Sequence, residues 1–487
     1  MPQPARFRYE AVAELIAQGV RDGTLAPGTR APSLRAIAQQ QRTSLTTALQ
    51  AYRLLEDRGI LQARPQSGFF VADVPRLPAP ATTRPSLQPT EVALSALMLT
   101  MLEHASDERY VPLGCAIPSP ALLDSAKLDR MLARSARVRG ATHNTYSPPR
   151  GEAALRIEIA RRALRWSQQL APDDIVITCG ATEALALALS AVTQPGDTVA
   201  IESPTYFGAL QVLRALRLKA LELPTDARRG VSLDALAAAL EAQPVAACLL
   251  ASSFNNPLGC TMAEHDKQAL LALLATHRVP LIEDDVYGDI HFGAERPRPF
   301  SALDAGDRTI YCASFSKTLA PGYRVGWVAS RRHLPKLLEA KFAATLAAPV
   351  LPQLALAEFL ASGGYDAHLR RLRRAFADTL RRMTEVIAAH FPAGTRVSQP
   401  AGGFVLWLAL PKAVDTRALF HRALEERICF APGVVFSAAG RYANCLRLSG
   451  GWGWDARIEK GLRRLGALAA SMTGQLPSPG APPTAPR

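Results

Sequence analysis

Ser314-Phe315-Ser316-Lys317-Thr318-Leu319-Ala320-Pro321-Gly322-Tyr323-Arg324-Val325-Gly326-Trp327 leaves the apolar run Thr309-Ile310-Tyr311-Cys312-Ala313. The run has the length and composition of a buried strand, and the turn after it gathers hydroxyls, one lysine and one arginine. A lysine that is to form a Schiff base must lose part of its hydration so that its pKa falls, and the phosphate of a pyridoxal cofactor needs a hydroxyl donor and a guanidinium nearby. On the lysine alone, an exposed Ser/Lys loop explains the stretch better. The chemical reading gains because segments on both sides supply the other parts of one pocket, in workable order.

Beyond residue 109, apolar runs at 175–178, 199–202, 247–250, 281–284, 309–314 and 325–329 alternate with helical segments. That alternation predicts an α/β body, a mainly parallel sheet covered by helices on both faces, with functional groups at the carboxyl ends of the strands. After the first run, Cys179-Gly180-Ala181-Thr182 opens a helix whose N–H groups can hold a phosphate. After the second, Ser203-Pro204-Thr205-Tyr206 sets an aromatic ring where it can stack on a pyridine. After the third, Asn255-Asn256-Pro257 can aim the Asn256 amide at a phenolate oxygen. After the fourth comes Asp284-Asp285-Val286-Tyr287, where a carboxylate leaving a buried strand can keep a pyridine nitrogen protonated. Singly, Asp284 reads more readily as a capping carboxylate and Tyr287 as a core residue.

The N-terminal stretch has another pattern. Tyr9, Val12, Ala13, Ile16 and Val20 recur at helical spacing up to Gly23, and Ser33 caps a second short helix. A third helix follows, with Leu45, Ala48, Leu49, Tyr52 and Leu55 as its buried stripe and Thr46, Thr47, Gln50 and Arg53 on the other face. Two alternating runs about Pro65-Gln66-Ser67-Gly68 then read as a β-hairpin. Three helices and a hairpin make a winged helix-turn-helix. Residues 9–72 resemble the GntR family through Gly23-x-Leu25-x-Pro27-Gly28, Pro32-Ser33-x-Arg35, Ser44-x-x-Thr47, Ala51-Tyr52-x-x-Leu55 and Ser67-Gly68-Phe69-Phe70-Val71. The resemblance implies contact with double-stranded DNA by Arg35, Ser44, Thr46, Thr47 and the wing at Gly68, mostly to phosphates. Leu45 and Leu49 stand where members often carry basic or polar residues.

Residues 109–474 resemble the fold type I pyridoxal-phosphate aminotransferases, with a large domain and a smaller C-terminal one. The resemblance rests on Tyr146-x-x-x-x-Gly151, Gly180-Ala181-Thr182, Pro204-x-Tyr206, Asn256-Pro257-x-Gly259, Asp284-x-x-Tyr287, Ser314-x-Ser316-Lys317, Arg324-x-Gly326 and Arg447. It implies that Lys317 forms the internal aldimine of pyridoxal 5'-phosphate, that Asp284 pairs with the ring nitrogen, that Asn256 and Tyr287 hold the phenolate, and that Tyr206 stacks. Ala181 through its backbone, Thr182, Ser314 and Arg324 would hold the phosphate, with Tyr146 from a second subunit, and Arg447 would clamp a substrate carboxylate. Head and body together resemble the MocR subfamily of bacterial regulators. That implies a head-to-tail homodimer in which an amino compound or amino acid enters the pocket and changes operator affinity. An aminotransferase with an accessory head, and a sensor of the coenzyme itself, are the competing readings.

The remaining features bound these expectations. The 487-residue chain carries a formal charge of +14, and up to Arg84 eleven arginines face six acidic residues. This permits a polyanionic partner. Seven single cysteines without C-x-x-C read as reduced thiols, not as a disulfide framework or a zinc site. No stretch approaches the roughly 20 apolar residues that span a bilayer, so a cytoplasmic protein is expected. The expected order is a DNA-binding head at 1–74, a linker with a helix at 75–108, the cofactor domain at 109–474 and a disordered Pro-rich tail at 475–487.

Overall fold

The computed structural model describes residues 8–57, 59–64, 67–72, 77–93, 96–105 and 107–473; the expected tail at 475–487 lies outside them. In the head, helix α1 (Arg8–Arg21) buries Val12, Ala13, Ile16 and Ala17 and is followed by Gly23 at φ +80°, a left-handed turn suited to glycine. Helix α2 (Leu34–Gln40) starts where the Ser33 hydroxyl accepts the Ala36 N–H at 3.1 Å. Helix α3 (Leu45–Asp57) starts the same way, with Ser44 Oγ accepting the Thr47 N–H at 3.1 Å. Tyr52 is fully buried, and its hydroxyl donates to the Pro32 carbonyl at 2.6 Å, so the ring adds apolar area without an unpaired polar atom. Strands β1 (Leu61–Arg64) and β2 (Gly68–Val71) pair antiparallel as the wing, Leu61 opposite Val71; turn residues 65 and 66 lie outside the described residues. One expectation fails: Leu45 is 52% exposed, because the first turn of α3 projects beyond the small core that holds Ala48 and Tyr52.

The linker is docked along its length. Residues 77–93 are laid along the body, which the Pro/Thr-rich composition did not reveal. Thr82 Oγ1 donates to Asp226 at 2.6 Å, Thr83 Oγ1 donates to the Ser203 carbonyl at 2.6 Å, and the Leu87 carbonyl accepts from Gln243 at 3.0 Å. The two-residue strand β3 (Thr90–Glu91) then joins the main sheet, and the expected helix forms as α4 (Ala96–Ala105). Backbone hydrogen bonds and hydroxyls hold this segment, so it needs no apolar period.

The body continues with β4 (Val111–Pro112), β5 (Ile175–Thr178), β6 (Thr198–Ser203), β7 (Lys219–Asp226), β8 (Gly230–Val231), β9 (Ala247–Leu250), β10 (Leu281–Asp284), β11 (Thr309–Ser314) and β12 (Gly326–Ala329). The main sheet runs β3-β7-β6-β9-β10-β11-β12-β5, with β8 added beside β7. Strands β7, β6, β9, β10 and β11 are mutually parallel, whereas β12 runs antiparallel to both its neighbours. The carboxyl ends of β5, β6, β9, β10 and β11 therefore share one edge with the start of β12. The smaller domain follows the helix Gly364–His390 and pairs β13 (Arg396–Val397), β14 (Val405–Ala409), β16 (Ala431–Pro432) and β17 (Cys445–Ser449) in the order β13-β14-β17-β16, while β15 (Ile428–Cys429) pairs with β4. Met98 and Met101 of α4 and Leu113 are buried in its core, which ties the segment after the linker to the smaller domain.

Candidate functional site

The shared strand edge carries the pocket. Asp284 ends β10, Ser314 ends β11, and Lys317 follows three residues later. In the register of β12, Gly326 lies opposite both Ser314 and Thr178, which brings Arg324 and Gly180 to the same corner. The Arg324 guanidinium donates to the Cys179 carbonyl at 3.3 Å and to Ser316 Oγ at 3.3 Å. Gly180 has φ +84°, and a Cβ there would collide with that guanidinium. No side chain caps the helix Ala181–Val192, so its first N–H groups face the corner as an anion cup. Behind it, Glu183 accepts from the Cys179 N–H and from buried Lys341 at 2.9 Å, which fixes the turn.

A cavity of about 210 Å³ opens over this corner, lined by Ala181, Thr182, Tyr206, Asn256, Asp284, Tyr287, Ser314, Lys317, Arg324 and Arg447. The chain thus brings together all but one of the residues expected to bind cofactor or substrate; Gly180 sits directly beneath. The exception is Tyr146, which is 83% exposed and lies apart from this lining. Lys317 and Asp284 keep some surface open to the cavity, yet the surrounding protein desolvates both. Burial, reinforced by the Arg447 charge, brings the Lys317 amine down to about 8, and burial lifts the Asp284 carboxyl to about 7. Lys317 Nζ donates to the Ala116 carbonyl at 2.7 Å. Arg447, 1% exposed on β17, donates to the Gly114 carbonyl and to Asn256 Oδ1 at 3.3 Å.

Sequence reasoning missed Glu202, Thr205, Cys115, Ala116 and Ile117, which also line the cavity. Glu202 and Thr205 flank Ser203-Pro204 ahead of the stacking Tyr206, so their place in the turn was a usable signal. The strip at 114–117 follows the two-residue strand β4 and carries no pattern of its own.

On the head, Arg35, Ser44, Thr46 and Gly68 are exposed and Thr47 is half-buried. Ser44 and Thr47 bond each other through their hydroxyls at 2.8 Å, so both also shape the start of α3.

Residues 120–465 match the family described as aminotransferase class I and II, and residues 8–71 match the bacterial regulatory proteins of the gntR family. The chain is 40% identical over 465 residues to the uncharacterized HTH-type transcriptional regulator YdcR of Escherichia coli, covering 95% of this chain and 98% of that one. It is 35% identical over 354 residues to the 2-aminoadipate transaminase of Thermus thermophilus, covering 72% and 87% of the two chains. Among solved structures, LysN, the alpha-aminoadipate aminotransferase of Thermus thermophilus complexed with N-(5'-phosphopyridoxyl)-L-leucine, superposes with a TM-score of 0.73 at 31% identity over 79% of this chain and 96% of its own. Head and body therefore define a GntR-type DNA-binding regulator joined to an aminotransferase-like domain. The chain belongs to the MocR subfamily, which has this architecture.

Pyridoxal 5'-phosphate is the cofactor of this fold, and the pocket fits it. Among the described residues, the buried Arg447 Nε on the cavity wall has no hydrogen-bond partner. Such an atom costs free energy unless a ligand completes it. Bound there, the cofactor supplies an aldehyde for amines and an electron-withdrawing ring.

Proposed function

We propose that this protein is a ligand-responsive transcription regulator in which Lys317 holds the cofactor, an amino compound enters beside it with its carboxylate on Arg447, and the linker carries the response to the head. In this reading Asp284 meets the ring nitrogen, Asn256 and Tyr287 the phenolate oxygen, Tyr206 the ring face, and Ala181, Thr182, Ser314 and Arg324 the phosphate. Arg35, Ser44, Thr46, Thr47 and the wing at Gly68 meet operator DNA. The assembly is a head-to-tail homodimer in the cytoplasm, with Tyr146 completing the pocket of the other copy; its exposure on a single chain supports this.

The observation that carries the switch is the linker's double attachment. Thr83 accepts the Thr225 N–H at 2.8 Å and donates to the Ser203 carbonyl at the pocket end of β6. Earlier in the same segment, the Leu77 carbonyl accepts from Gln399 at 3.0 Å and the Pro78 carbonyl accepts the Val397 N–H at 2.9 Å, both on the smaller domain that also bears Arg447. Ser203 Oγ and Tyr442 Oη bond at 2.6 Å across the same seam. A ligand that draws Arg447 toward Lys317 must shift one anchor of the linker against the other. It acts only through different affinity for the two arrangements, a coupling of typically about 1–3 kcal/mol.

The test is a titration of the holo-protein with amines and keto acids, following visible absorbance and operator binding together. Regulation predicts that compounds which change the spectrum also change DNA affinity, by about 5- to 150-fold. Thr83→Val should keep the spectral response and lose much of the DNA response; an unchanged DNA response excludes the linker as the path. The complete pocket also favours an amino-acid half-reaction, and turnover with no effect on DNA would make that the main activity.

A further inference from the structure

We propose that the effector is an α-amino acid with an uncharged, apolar side chain, selected by Leu102 and Ile117 at the mouth of the cavity; this rests on the sensor reading above. Two observations carry it, one from the anchoring of the polar groups and one from what remains of the wall.

Lys317 Nζ is held by the Ala116 carbonyl and the Arg447 guanidinium by the Gly114 carbonyl. These acceptors are two residues apart, so at most about 7 Å of chain separates them. An amino group directed at Lys317 and a carboxylate directed at Arg447 therefore belong to one small ligand, and an α-amino acid fits this span.

Every charged residue in the described lining already has a task. Lys317 and Asp284 serve the cofactor, Arg324 stands at the phosphate corner, and Arg447 takes the carboxylate. Glu202 is 5% exposed, and burial raises its carboxyl to about 8, so it presents no charge to a ligand at neutral pH. Within one chain, the described lining holds no further cation to meet an acidic side chain and no free carboxylate to meet a basic one. What remains at the mouth is Leu102 and Ile117, each 40% exposed. Helix α4 explains the position of the first: Met98 and Met101 sink into the core of the smaller domain, and Leu102 is left on the cavity wall. A ligand side chain resting there removes apolar surface from water on both partners, and each buried methylene tightens binding about fourfold.

The experiment titrates the full-length holo-protein with the L-series alanine, 2-aminobutyrate, norvaline and norleucine, beside glutamate, lysine and 4-aminobutyrate, and reads half-saturation from visible absorbance. The expected result is a fall of about fourfold per methylene, with the charged and γ-amino compounds at least about tenfold weaker than norleucine. Leu102→Arg should flatten the chain-length trend and move the preference toward glutamate. Glutamate, lysine or 4-aminobutyrate binding as tightly as norleucine overturns the inference while leaving the sensor reading in place, and so does an unchanged trend in Leu102→Arg. A spectrum that no amino compound alters overturns the sensor reading and this inference with it.

Discussion

Body and head place their polar chemistry in opposite surroundings. In the body, Arg447 is 1% exposed, and Lys317 and Asp284 see only the cavity, each desolvated enough to shift its proton affinity. In the head, Arg35, Ser44, Thr46 and Gly68 face solvent. Desolvated groups depend on one another: removing one leaves its neighbours unpaired where water cannot compensate. Exposed groups act one at a time and are screened by salt. The same chain therefore holds a pocket in which single substitutions should be near all-or-none and a DNA face on which they should be graded.

Lys317→Ala tests the first half of that contrast with the largest expected effect. The purified variant should lack the visible absorbance of attached cofactor, since no other amine lines the cavity among the described residues. A band that survives would remove Lys317 from the centre of the site. A smaller and graded test is pH. Only the neutral amine can attach the cofactor aldehyde, and with the Lys317 pKa at about 8 its neutral fraction falls about tenfold per unit below that value. Asp284, lifted by burial to about 7, loses its proton over the same range and becomes the anion that a protonated ring nitrogen needs. Both effects have one sign. The rate at which stripped protein takes up pyridoxal phosphate should rise from about pH 6 to about 8 and then level off. Uptake still climbing steeply at about pH 10, the range of an ordinary lysine, would mean that the amine is not desolvated.

The contrast also explains how much could be read from the sequence. Strands β5, β9, β10 and β11 have the boundaries that their runs predicted, because every residue in them but Asp284 is buried. β7 went unseen: Glu222 sits in its middle, 3% exposed, where Ser203 and Ser437 hydroxyls satisfy it at 2.9 and 3.0 Å. The pocket motifs were legible since each follows such a strand directly. Leu102 and Ile117 were not, because their place depends on how α4 docks on a domain formed some 290 residues later. The docking of the linker was illegible for a related reason: the partners of Thr82 and Thr83 lie 144 and 120 residues away, and a threonine hydroxyl leaves no periodic trace.

The smallest expected effect sharpens the other side of the comparison. Arg35 is exposed on α2, and the proposed reading sets it at a phosphate. If it neutralises one phosphate, Arg35→Ala should weaken binding to specific and unrelated duplexes by a similar factor, since a phosphate contact carries no base information. The slope of log affinity against log salt should become shallower by about 0.9 for each head bound. Loss confined to one sequence would instead place Arg35 at a base edge. An unchanged slope would return it to the solvated surface, and the head would then owe its grip to the backbone N–H groups at the start of α3 and to the wing.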